Sequence, residues 1–147
     1  KGRFRWYAVR CQEVLQLAVL LRTTAETLLG APQTDVKDEL SLSEGLSLAQ
    51  QGKLQLIDVR PLEEFQSGHL AGALSMPLAS LSETITKLDS ETPAAAYCRS
   101  PYCFLARQAQ EIFAKHGKTL YVLSDGVQDW KASSPELLTV STDSEES

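Results

Sequence analysis

Cysteine is scarce in this chain, with three in 147 residues. An odd and small number excludes the disulfide framework of a small secreted domain and points to a reducing, cytoplasmic setting. Histidine is scarcer still: His69 and His116 are the two in the chain, and neither stands at ligand spacing from a cysteine pair. No metal site and no cofactor is therefore expected. A long apolar run is missing. The longest, Val14 to Leu21, is interrupted by Gln16 and stopped by Arg22, which is too short to span a bilayer. No small-residue cleavage site follows it, so it does not read as a signal peptide. No membrane partner is expected. Positive charge is not in excess: 14 Lys and Arg face 19 Asp and Glu, for a net charge of -5. The field of this chain is not that of a nucleic-acid binder. An initiating methionine is absent as well, and the start at Lys1 reads as a piece of something longer.

What is present is an ordinary globular balance, 43% hydrophobic and 22% charged residues. A chain of this length buries about two thirds of its unfolded surface, enough for a core without staples. Gly2 to Arg10 alternates basic with aromatic or apolar residues and predicts a short strand. Gln12 to Leu29 carries Val14, Leu17, Leu21, Ala25 and Leu28 at helical spacing, stopped by Gly30 and Pro32. Residues 33–39 are polar and read as a linker. From Ser41 the texture changes. Ser41 with Glu44 is a capping-box signature for a helix to about Gln51. Strands are predicted at Leu54 to Val59, Ala73 to Ser75, Ala94 to Cys98 and Thr119 to Leu123. Helices are predicted from Pro61, from Pro77 to about Leu88, from Phe104 to Gly117, and from Val127 to Ala132. Residues 137–147 are serine-rich and acidic, the composition of a disordered tail.

Strands alternating with helices at this spacing argue an α/β domain with a mainly parallel sheet. Ligands bind such sheets at the carboxyl ends of the strands. Two segments fall there: Asp58 to Arg60, and Cys98 with the loop Arg99-Ser100-Pro101-Tyr102-Cys103 behind it. A thiol on a strand-to-helix loop faces main-chain N–H groups and the positive end of a helix, and both favour the nucleophilic thiolate. Cys98 is the expected site of chemistry.

At these residues a family resemblance is visible. Leu56-Ile57-Asp58-Val59-Arg60, then Glu64-Phe65, then Gly68-His69-Leu70-Ala71-Gly72-Ala73, resembles the first signature of the rhodanese (sulfurtransferase) domain. Tyr97-Cys98-Arg99-Ser100 resembles its active-site loop, and Asp125-Gly126-Val127 with Trp130 its closing segment. The resemblance covers about residues 40–136. It implies a five-stranded parallel sheet flanked by helices, and a Cys98 that accepts a sulfane sulfur from a small sulfur-containing anion, holds it as a persulfide and passes it to a thiol acceptor. The loop departs from the usual pattern at two positions. Pro101 stands where glycine is usual and removes one N–H. Cys103 stands where Arg, Ser or Thr is common.

The Cys-Arg-Ser-Pro-Tyr-Cys form of the loop is also similar to rhodanese domains fused behind winged-helix repressors of the arsenic-repressor (ArsR) type. On that resemblance residues 1–32 are the remnant of such a domain, its last wing strand and its dimerisation helix. The recognition helices then lie upstream of Lys1, and DNA is bound only through them.

Each loop residue carries two readings. Arg99 either points a cation at the incoming anion or is a solvated surface arginine. Ser100 either donates to the anion or fills the loop. Tyr102 either lines the mouth or covers the core edge. Cys103 is either a resolving thiol that attacks a Cys98 persulfide, or a small residue packed at a helix start. Asp58 and Arg60 read as an ion pair bracing the loop's floor, and His69 as a hydrogen-bonded turn residue. For the chain as a whole, a sulfurtransferase, a sulfur-loading sensor module of a repressor and a catalytically silent interaction module remain in competition. A cysteine-loop phosphatase is excluded, because the arginine it needs six residues after the cysteine is Phe104.

The stripe Leu17, Leu21, Ala25, Leu28 has little chain before it to cover it, which predicts a homodimer seam. Sedimentation equilibrium at micromolar concentration checks this; a dimer is expected, and a monomer would count against the seam.

Overall fold

The computed structural model describes residues 12–30, 38–100 and 103–140. The expected strand over residues 2–10 lies outside them, as do Pro101, Tyr102 and residues 141–147. The described chain opens with α1 (Gln12–Leu29), then β1 (Glu39–Leu40), α2 (Leu42–Gln50) and β2 (Gln55–Asp58). It continues through α3 (Leu62–Gln66), β3 (His69–Leu70), β4 (Leu74–Ser75) and α4 (Leu81–Thr84). It ends with β5 (Ala94–Tyr97), α5 (Phe104–Lys115), β6 (Leu120–Leu123), α6 (Val127–Ser133) and β7 (Leu138–Thr139).

Five strands form one parallel sheet in the order β1-β6-β5-β2-β4, as the α/β reading requires. The edge strand β1 begins at Glu39, inside the segment whose composition reads as linker. The capping box is formed: the Glu44 N–H donates to Ser41 Oγ, and the Ser41 N–H donates to Glu44 Oε2 at 3.2 Å. The helix expected from Pro77 to Leu88 is broken into a 3-10 turn at Leu78–Ser80, the single turn of α4, and a second 3-10 turn at Ile85–Lys87. The run Thr84-Ile85-Thr86 is β-branched and disfavours a continuous helix. Thr84 Oγ1 instead donates to the Ser80 carbonyl at 3.0 Å. Leu138–Thr139 pairs antiparallel with His69–Leu70, where composition had placed the start of the tail. Leu137 and Leu138 pack against the apolar core, which holds the chain in place that far.

Strand alternation sorts the core into two faces. Ala94, Ala96 and Cys98 fall on the face that carries Ile57, Val59, Ala106, Ala109 and Phe113, beneath α5. Ala95 and Tyr97 fall on the other face, with Leu56, Leu70, Val127 and Trp130. The Tyr97 ring meets Trp130 edge-on with centroids 5.2 Å apart, and its hydroxyl accepts from the Leu70 N–H at 3.1 Å. Burial, with Asp58 beside it, holds the Tyr97 phenol well above its usual range.

Register puts Asp58 beside Tyr97 at the carboxyl ends of β2 and β5. Asp58 is fully buried and Arg60 nearly so. The guanidinium folds back on the carboxylate: Nε donates to Oδ1 at 2.9 Å and Nη2 to Oδ2 at 2.6 Å. Nη2 also donates to the Gly68 carbonyl at 2.7 Å, and the Arg60 N–H to Asp58 Oδ1 at 3.0 Å. This is the expected structural brace, and it ties the end of β2 to the turn after α3. On the far side, α1 packs against α6 through Gln16, which donates to the Ala132 carbonyl at 3.3 Å, and through the Arg22–Asp129 ion pair. The rest of α1 exposes Val14, Leu17, Leu20, Leu21, Leu28 and Leu29 at 50% to 86%.

Removing one partner of the buried pair strands a charge in the core. Arg60→Leu is expected to cost about 3–5 kcal/mol, read as a lower urea midpoint with an unchanged m-value.

Candidate functional site

Cys98 follows β5 directly, and the peptide units after it are held by α6. The Val127 N–H donates to the Cys98 carbonyl at 3.0 Å and the Gln128 N–H to the Arg99 carbonyl at 2.9 Å. The first N–H groups of a helix have no partner inside it, and here the loop supplies the acceptors. The approach is close enough to require glycine. A Cβ on Gly126 would lie 2.3 Å from the Ser100 nitrogen and 2.4 Å from the Arg99 carbonyl carbon. The Gly126 N–H is in turn bonded to Asp129 Oδ2 at 3.1 Å, and Asp129 Oδ1 accepts from Arg22. Beside this group, burial first and the Asp129 charge second raise the Asp125 carboxyl above its usual range, while Arg22 opposes the shift.

The other end of the loop is the start of α5. Cys103 is its N-cap residue, and the Cys103 N–H donates to the Ser100 carbonyl at 3.0 Å. Cys98 and Cys103 form a disulfide with Cα atoms 6.0 Å apart, within the span a disulfide bridges. Cys98 is only 2% exposed and Cys103 is half-buried. In this form the Cys98 sulfur is capped by Cys103, so the thiolate expected at position 98 is held in a disulfide. The physical reason is strand alternation. It turns the Cys98 side chain toward α5, whose N-cap residue carries the second thiol.

Arg99 is paired with an acid. Its Nε donates to Glu64 Oε1 at 3.1 Å and Oε2 at 2.9 Å, and its Nη2 also pairs with Glu64. This bond, more than the charge itself, raises the Arg99 pKa against a smaller opposing effect of burial. Arg60 Nη1 lies 4.0 Å from the same carboxylate. Asp58, Arg60, Glu64 and Arg99 thus make a chain of alternating sign across the floor of the loop. Ser100 is half-buried, and its carbonyl serves the turn to Cys103. His69 is a turn residue, as expected: Nδ1 bonds the Phe65 carbonyl at 2.8 Å and the ring stacks on Phe65. Among the described residues, no three His, Cys, Asp or Glu side chains gather as a metal site would require. No helix among them is long and apolar enough to cross a membrane. An apolar cleft of about 690 Å³ opens beside the site, lined by Val59, Leu62, Leu78, Leu105 and Ile112.

Sequence reasoning missed two partners of the loop. Glu64 stands out in the sequence only as part of the first family signature, and Val127 and Gln128 as the start of one more helix, with nothing that joins either to the cysteine loop. A local signal existed for the second: Asp129 stands three residues after Gly126, the spacing of a side chain that reaches back to a helix's first N–H.

Residues 41–133 match the rhodanese-like domain family. The chain belongs to that family. It is 30% identical over 142 residues to the HTH-type transcriptional regulator Rv0324 of Mycobacterium tuberculosis, a match over 89% of this chain and 61% of the regulator. It is 31% identical over 99 residues to the thiosulfate sulfurtransferase GlpE of Coxiella burnetii, over 66% of this chain and 90% of the enzyme. The fold is similar to the solution structure of a rhodanese-like domain from the Anabaena sp. Alr3790 protein, with a TM-score of 0.60 at 20% identity, over 75% of this chain and 84% of that one. The rhodanese-like sheet and its cysteine loop are thus the frame in which the site's chemistry is read.

A methyl group at Gly126 has no room against the loop backbone. Gly126→Ala is expected to cost about 1–3 kcal/mol, seen as a lower thermal midpoint, and to change the rate at which an alkylating reagent modifies Cys98 in the reduced protein.

Proposed function

We propose that this domain handles sulfane sulfur within a transcriptional regulator, with the reduced Cys98 as its nucleophile. The observation that carries the reading is the position of Cys98. It stands at the carboxyl end of a central strand, on a loop held by two helix starts, in a family that includes a thiosulfate sulfurtransferase. In the reaction the Cys98 thiolate attacks the outer sulfur of a thiosulfate-like anion. The S–S bond of the donor breaks, sulfite leaves with its electron pair, and Cys98 keeps the sulfur as a persulfide anion. Reduction of the bond to Cys103 must come first. Ser100 is the described loop residue left to meet the anion, since Arg99 is engaged by Glu64.

The regulatory half of the reading rests on the match to Rv0324. A match over 89% of the chain runs well beyond residues 41–133, so it takes in part of α1 and not only the sheet. The chain spans 61% of that regulator's length. On this reading α1 is the dimerisation helix of an ArsR-type winged-helix domain. Its exposed leucines form the seam of a homodimer, DNA is bound by residues upstream of Lys1, and the protein works in the cytoplasm.

The test is sulfite release. The protein is reduced, freed of reductant without air, and mixed with thiosulfate. Wild type is expected to release sulfite in proportion to its concentration, and Cys98→Ser to release none. No sulfite from the wild type with thiosulfate, together with no change of intact mass on incubation with polysulfide, would assign the domain to a silent interaction role.

A further inference from the structure

We propose that Cys103 is a second catalytic residue, which discharges the sulfur loaded on Cys98 as hydrogen sulfide. This deepens the sulfurtransferase reading and rests on it. The two sulfurs are already in bonding contact. Four residues lie between them, and the Cys103 N–H donates to the Ser100 carbonyl. So short a loop brings the thiols together at little entropic cost. Cys103 is also the N-cap of a twelve-residue helix, and its side chain makes no capping hydrogen bond there. Its sulfur is therefore available at the end of α5 where an anion is favoured.

The step balances. Cys103 supplies a thiolate, which attacks the inner, Cys98-bound sulfur of the persulfide. The Cys98–Cys103 bond forms, the outer sulfur leaves with the electron pair of the broken S–S bond, and it takes up the proton that Cys103 gave up, as hydrosulfide. The product is the disulfide that the structure contains. Turnover needs two electrons from a thiol reductant, either two small thiols or one protein dithiol. The attack falls on Cys103, because Cys103 is half-buried whereas Cys98 is 2% exposed. That attack frees the Cys98 thiolate for the next donor, and a second thiol clears Cys103. The overall reaction converts a sulfane donor and two thiols into sulfite, sulfide and a disulfide. A persulfide carrier without the second cysteine has to wait for its acceptor to reach the buried sulfur.

The experiment follows one turnover of the reduced full chain, without air and without added thiol, on mixing with thiosulfate. Sulfite, sulfide and intact mass are read together. Wild type is expected to release one sulfide for each sulfite and to end two hydrogen masses below the reduced protein. Cys103→Ser is expected to stop at the persulfide, one sulfur mass heavier, with sulfide release lost. Wild type that releases sulfite but keeps the added sulfur would overturn the role of Cys103 and leave that of Cys98 intact. The same holds if Cys103→Ser releases sulfide as fast as wild type. Absence of sulfite from wild type would overturn both. The wild-type readings decide the matter even if the variant folds poorly.

Discussion

Two main-chain hydrogen bonds, from Val127 and Gln128 to the carbonyls of Cys98 and Arg99, set the path of the cysteine loop. The rest of the site follows from them. They fix the peptide units just past β5, so the Cys98 side chain continues the alternation of its strand and turns beneath α5. They also explain why Gly126 carries no side chain, since the two backbones are in contact there. The opposite end of the loop is Cys103, the N-cap residue of α5. Both described ends of the loop are held at helix starts, and its two thiols are joined there.

The charged floor serves a different purpose. Asp58 and Arg60 are buried, and each donor on the guanidinium that faces the interior has an acceptor. Such pairs contribute little net stability but make any other arrangement expensive. Glu64 extends the pattern outward and claims Arg99. Positive charge near the loop is thereby neutralised one for one.

Much of this architecture was legible in the chain. The strands at residues 55–58, 94–97 and 120–123 announced themselves as apolar runs, and the Ser41–Glu44 cap and the Asp58–Arg60 brace as local spacings. What escaped was short or non-local. Two-residue strands such as Glu39–Leu40 and Leu138–Thr139 are too brief to show a period. The Arg99–Glu64 pair joins positions 35 apart in the chain, and no spacing rule reaches that far. For the disulfide, the loop spacing leaves both readings of Cys103 open. Its outcome was set instead by the side of the sheet on which strand alternation leaves Cys98.

Asp129 holds the two halves of the molecule in one hand. Its Oδ2 accepts from Gly126, at the base of the cysteine loop, and its Oδ1 accepts from Arg22 on α1. A single carboxylate therefore bonds both the long helix and the base of the cysteine loop. A substitution at position 129 removes a partner of Arg22 and of the Gly126 N–H in one step.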